Sequence, residues 1–124
     1  MLKDGKIWAA RSERDLVLLP NMANRHGLIA GATGTGKTIT MKVLAESFSA
    51  LGVPVFLADV KGDLSGTCVP GARSESVDRR ASALGMDAFE MKAFPTRFWD
   101  VFGERGVPAR ITVSDIGLCC WRGF

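Results

Sequence analysis

The chain has 124 residues, 47% of them apolar, and a formal net charge of +3. That is one domain or part of one, with enough apolar material to exclude wholesale disorder. The positive charge is mild and forms no long Lys/Arg run; its densest spot, Arg79-Arg80, reads as a solvated helix face rather than a grip on a phosphate backbone.

In chain order, residues 6–10 and 15–19 read as two short strands around the polar turn Arg11-Ser12-Glu13-Arg14, closed by Pro20-Asn21. This makes 1–20 an N-terminal β-hairpin and 21–124 the main domain. His26-Gly27-Leu28-Ile29-Ala30 is an apolar run of the length of a buried strand. His26, the only histidine, reads as a structural, hydrogen-bonded residue.

The next residues, Gly31-Ala32-Thr33-Gly34-Thr35-Gly36-Lys37-Thr38, satisfy the P-loop pattern G-x-x-x-x-G-K-[ST] at every fixed position. The glycines let the backbone turn tightly and bring N–H groups against phosphate oxygens. Lys37 offers a compact cation to the β- and γ-phosphates, and Thr38 offers a hydroxyl to magnesium. A helix predicted from Ile39 to Leu51 and stopped by Gly52 would aim its positive dipole end at the same anion.

Val53-Pro54-Val55-Phe56-Leu57-Ala58-Asp59 reads as a second buried strand. Strand, helix and strand then form a right-handed crossover, and the fold class is α/β: a partial P-loop parallel sheet with flanking helices. Gly31 and Asp59 would both lie beyond the carboxyl ends of the strands, where such sheets bind ligands. Asp59, ending an apolar run, has the form of a magnesium-positioning carboxylate and is a candidate catalytic residue with Lys37. Against a full metal role, it follows Lys37 by one crossover, where many motor-type P-loop folds place an outer strand, and no glutamate follows it. Lys61 and Asp63 read as solvated loop residues, with a place facing nucleotide or a neighbouring subunit as the alternative.

Further on, 74–85 is a predicted amphipathic helix ending at Gly85, 86–93 a second short helix stopped before Pro95. Arg97–Phe102 and Ala109–Val113 form a predicted β-hairpin insertion around Gly103-Glu104-Arg105-Gly106. Trp8, Trp99 and Trp121 read as packing residues, because no basic interleaving marks a base-stacking surface. Cys68, Cys119 and Cys120 fall in no metal-ligand spacing, and adjacent cysteines suit neither a zinc knuckle nor an ordinary disulfide, which predicts a reduced, cytoplasmic chain. The longest apolar stretch, Val53 to Ala58, is far too short for a bilayer, so no membrane partner is expected.

Asn24 to Thr38 resembles the bacterial ATPases with a HerA-like helicase C-terminal domain, members of the HerA/FtsK group of P-loop motors. Ala45-Glu46-Ser47-Phe48-Ser49, Gly52 to Gly66 and Phe98 to Gly103 are similar to that family too, and the likeness runs from about residue 5 to 116. The resemblance implies ATP and magnesium bound at Gly31 to Thr38, movement of DNA or protein, and a homo-oligomeric, usually hexameric, ring. It also matches Asp59 and Lys61 to an aspartate-x-lysine segment after the second strand. The group's magnesium-holding acidic strand, water-activating glutamate and arginine finger are expected after residue 124, so this chain alone should hydrolyse ATP weakly or not at all. In place of the family's leucine-rich helix stands Leu118-Cys119-Cys120-Trp121-Arg122-Gly123-Phe124, the product expected of leucine codons read one base out of register after a deletion near Gly117. Two other functions fit the same loop: a small P-loop phosphotransferase with Asp59 near its acceptor, and a non-catalytic nucleotide-binding fragment.

Overall fold

The computed structural model describes residues 1–86 and 89–110, which fall into two units, Met1–Phe94 and Pro95–Phe124. In the first unit, β1 (Leu2–Lys3), β2 (Lys6–Arg11) and β3 (Asp15–Leu18) form an antiparallel sheet in the order β1-β2-β3. The predicted hairpin is therefore present and carries a third strand. Leu2 pairs with Ile7 and Lys3 with Lys6 across the two-residue turn Asp4-Gly5, whose φ values are 50° and 71°. Positive φ at both central residues is what a type I′ turn demands, and Asp-Gly is its sequence signal. The β2–β3 ladder is irregular between Trp8 and Ala10, and Asp15 at its turn end pairs with Lys3 and, at 3.8 Å, with Arg11.

Helix α1 (Lys37–Ala50) packs on β2. Ile7 and Ser47 are fully buried, Trp8 and Ala45 nearly so. The α-amino group of Met1 donates to Ser47 Oγ, which lies 2.6 Å from the Val43 carbonyl oxygen. A buried hydroxyl needs such partners, and here they tie the first strand to the helix.

The predicted strands at 26–30 and 53–59 do not form: neither run joins a ladder. A strand exists only through the backbone groups of a neighbour, and these two runs do not pair with each other. Their side chains show the consequence, with Leu28 89% and Phe56 85% exposed. The described residues contain α/β elements but not the parallel P-loop sheet. His26 is exposed and has no hydrogen bond among the described residues, contrary to the structural role read from the sequence.

After a 3₁₀ turn at Ser65–Cys68, α2 (Glu75–Ala83) begins at Ser74, whose side chain accepts from Val77 N at 3.4 Å, and ends before Gly85 with φ 68°. Arg11 Nη1 donates to the Leu84 carbonyl at 2.6 Å, a cation on the negative end of the helix. Arg79 and Arg80 face water as predicted, and Arg79 pairs with Glu75 one turn back. The predicted helix at 86–93 is absent where it is described, at Met86 and 89–93.

In the second unit, β4 (Trp99–Asp100) and β5 (Val107–Pro108) are paired in parallel, not as the predicted hairpin. Asp100 explains the reversal. Its Oδ1 accepts from Phe102 N at 2.9 Å, and its Oδ2 accepts from Glu104 N at 2.7 Å and Arg105 N at 2.9 Å. The carboxylate coils the connection on itself, so the chain completes a loop and returns in its original direction. Trp99 is 61% exposed rather than packed, with the Arg97 guanidinium 6.0 Å from its ring centre. The predicted strand beyond Arg110, Cys119, Cys120, Trp121 and the rest of the segment 118–124, with the reading-frame expectation attached to it, lie outside the described residues. No helix among the described residues is long and apolar enough to cross a membrane.

Candidate functional site

Two loops meet at the first turns of α1. The first, residues 31–38, turns at Gly34 (φ 83°) and Gly36 (φ 94°), the latter standing at the helix N-cap position with no capping side chain. Both angles lie where a side chain is strained, which is why glycine serves there. Thr35 holds the bend together, its N–H 3.4 Å and its Oγ1 2.8 Å from the Ala32 carbonyl oxygen. Gly31 matters through space instead, since a Cβ there would come within 2.6 Å of Thr35 Oγ1.

The bend leaves the N–H groups of Thr33, Gly34 and Gly36 without an acceptor among the described residues. The first amides of α1 likewise have no carbonyl one turn back to accept them. Lys37 Nζ folds over the same loop and donates to the carbonyls of Gly31 (2.8 Å) and Ala32 (2.7 Å). Residues 31–36 and Thr38 are exposed. The result is an exposed cup in which three N–H groups lack an acceptor among the described residues and a cation stands beside them, which suits an anion. An oxyanion of several oxygens fits these donors better than a single carboxylate, because the donors are spread over several residues.

The second loop, 59–64, is built the opposite way. Asp59 Oδ1 accepts from Lys61 N (3.2 Å) and Gly62 N (2.8 Å), and Oδ2 accepts from Leu64 N (2.8 Å). These amides, Leu64's first, hold its carboxyl below the usual range for an aspartate. Leu64 is buried, and a side chain added at Gly66 would lie 3.6 Å from the Lys42 ammonium of α1, so this loop and its continuation lie along the helix.

Thr38, Met41, Asp59, Val60, Lys61, Asp63 and Leu64 line one hollow of about 270 Å³. The structure thus brings together Thr38 and Asp59, which the sequence placed on one site, with Lys61 and Asp63, which are exposed as the sequence reading expected and also line the hollow. The Asp-x-x-Gly spacing is what lets the carboxylate reach its own loop amides. Among the described residues no three His, Cys, Asp or Glu side chains cluster to hold a metal. Thr38 brings a neutral hydroxyl to the hollow, and Asp59 has lone pairs committed to amides. A metal ion there would lean on the bound anion for most of its ligands, which fits magnesium carried with a polyphosphate.

No curated protein and no solved structure gives a match to the chain. A family model does match, over residues 4–120. That span takes in β2, β3, both loops and both helices, and the chain belongs to the helicase HerA-like C-terminal family.

Proposed function

We propose that the chain is the ATP-binding portion of a HerA-like P-loop ATPase, with Gly31, Ala32, Thr33, Gly34, Thr35, Gly36, Lys37 and Thr38 holding the triphosphate. The observation that carries this reading is the exposed cup at 31–38, whose Thr33, Gly34 and Gly36 N–H groups have no acceptor among the described residues and which stands at the N-terminus of a 14-residue helix. Lys37 is poised by its two carbonyl contacts and moves from them to the β- and γ-phosphates. Thr38 offers its hydroxyl to magnesium, which when bound neutralises charge on those phosphates. Family membership supports ATP with magnesium as the ligand pair, and it supports DNA as a partner and a homo-oligomeric ring as the assembly. The cytoplasm as location belongs to the same proposal, as does a β element over residues 1–20 that packs on the P-loop helix of 21–124.

Asp59 has Oδ1 engaged by two amides and Oδ2 by one, so we read it as a group that holds its own loop rather than one that activates water, and we expect weak or no hydrolysis from this chain alone. The test is ATP binding by the wild-type chain against Lys37→Ala. A charge-assisted contact to phosphate is worth about 1.5–3 kcal/mol, so at least a tenfold loss is expected. Equal affinity in the two proteins would remove the phosphate role of Lys37.

A further inference from the structure

Asp59 spends its charge on its own loop, and that loop carries a cation. Lys61 lines the hollow that Thr38 opens onto, and it makes no ion pair among the described residues, although Asp59 and Asp63 are its close neighbours in sequence. Asp59 instead accepts three backbone N–H groups, one of them from Lys61 itself. The loop conformation set by those bonds is what stations Lys61 on the wall of the hollow.

We propose that Lys61 is a second cation for the phosphate tail of the nucleotide, and that Asp59 is the positioning residue that holds it there. The inference rests on the nucleotide reading of the 31–38 loop. Its physical logic is division of labour: the P-loop amides and Lys37 grip the anion from the helix end, while Lys61 meets the charge that extends past Thr38 into the hollow. Lys61 therefore matters more for a triphosphate than for a diphosphate, and not at all for a nucleoside without phosphate. Asp63, on the same wall, limits the gain by holding a negative charge nearby.

The experiment measures binding of magnesium-ATP, ADP and adenosine to the 124-residue chain and to Lys37→Ala, Lys61→Ala, Asp59→Asn and the Lys61→Ala/Asp59→Asn double variant. Lys61→Ala is expected to weaken ATP about fivefold, as for a partly solvated charge pair, with a smaller loss for ADP and none for adenosine. Asp59→Asn should reproduce that selective loss, and the double variant should add nothing to it, because both changes remove one contact. Rescue by Lys61→Arg would agree. ATP affinity lost in Lys37→Ala but unchanged in Lys61→Ala overturns this inference and leaves the P-loop reading standing. Wild-type binding that ignores Lys37→Ala overturns both. Should Asp59→Asn fail to fold, Lys61→Ala, an exposed loop change, still decides between these results.

Discussion

The two loops beside α1 use the same material to opposite ends. Residues 31–38 have no acidic side chain, and the N–H groups of Thr33, Gly34 and Gly36 have no acceptor among the described residues; residues 59–64 begin with an aspartate that consumes three of theirs. The loop after Asp100 repeats the second solution in the other unit, again with three amides on one carboxylate. Backbone donors are neutral as to function until a nearby anion claims them. What separates an anion cup from a closed structural loop is whether the chain supplies that anion itself.

The most severe way to break the contrast is to give the cup its own carboxylate. Thr33→Asp should draw the loop amides inward and repel phosphate; like charges in contact cost several kcal/mol, so ATP affinity should fall at least about a hundredfold by calorimetric titration. Gly36→Ala is milder. Its Cβ meets nothing within 4 Å, so the penalty is purely the left-handed backbone at φ 94°. At roughly 1–2 kcal/mol, that should weaken ATP about fivefold to thirtyfold if the cup must hold this shape to bind. An unchanged affinity would mean that the loop binds in another conformation.

The closed loops answer to pH instead. Asp59 and Asp100 both have carboxyls lowered by backbone N–H groups, from Leu64 first in one case and Arg105 first in the other. A carboxylate depressed in the folded state stabilises its loop above its ordinary value, near ~3.9, and that contribution disappears as pH falls through the depressed folded value. Amide resonances of Gly62, Leu64, Phe102 and Arg105 should therefore hold steady from neutral pH down to about that ordinary value and move only below it. Amides of Thr33, Gly34 and Gly36, with no carboxylate of their own, should not follow. The smallest effect is local: Asp100→Asn should raise hydrogen exchange at Phe102, Glu104 and Arg105 without changing nucleotide binding.

Much of this was legible in the sequence wherever the deciding interaction is local. The start of α1 follows from Gly36-Lys37-Thr38, and α2 follows from Ser74 and Gly85, because caps and left-handed stops act within a turn. Asp4-Gly5 carried an equally local signal for the third N-terminal strand, which the two-strand reading passed over. The runs at 26–30 and 53–59 show the limit: apolar composition announces a strand, but only a partner's backbone makes one. With Leu28 and Phe56 left in water, and few large side chains among the described residues fully buried, the chain should melt broadly rather than cooperatively in a calorimeter. The parallel β4–β5 pair was hidden for a related reason, since alternation predicts strands while Asp100 decides their direction.

The contrast between the loops is tested most directly by titrating magnesium-ATP into the ¹⁵N-labelled chain and following individual backbone amides. Large shifts at Thr33, Gly34 and Gly36, with Gly62 and Leu64 still held to Asp59 and shifting little, are the expected result. Motionless amides in the glycine loop, or equal movement at Gly62 and Leu64, would contradict it.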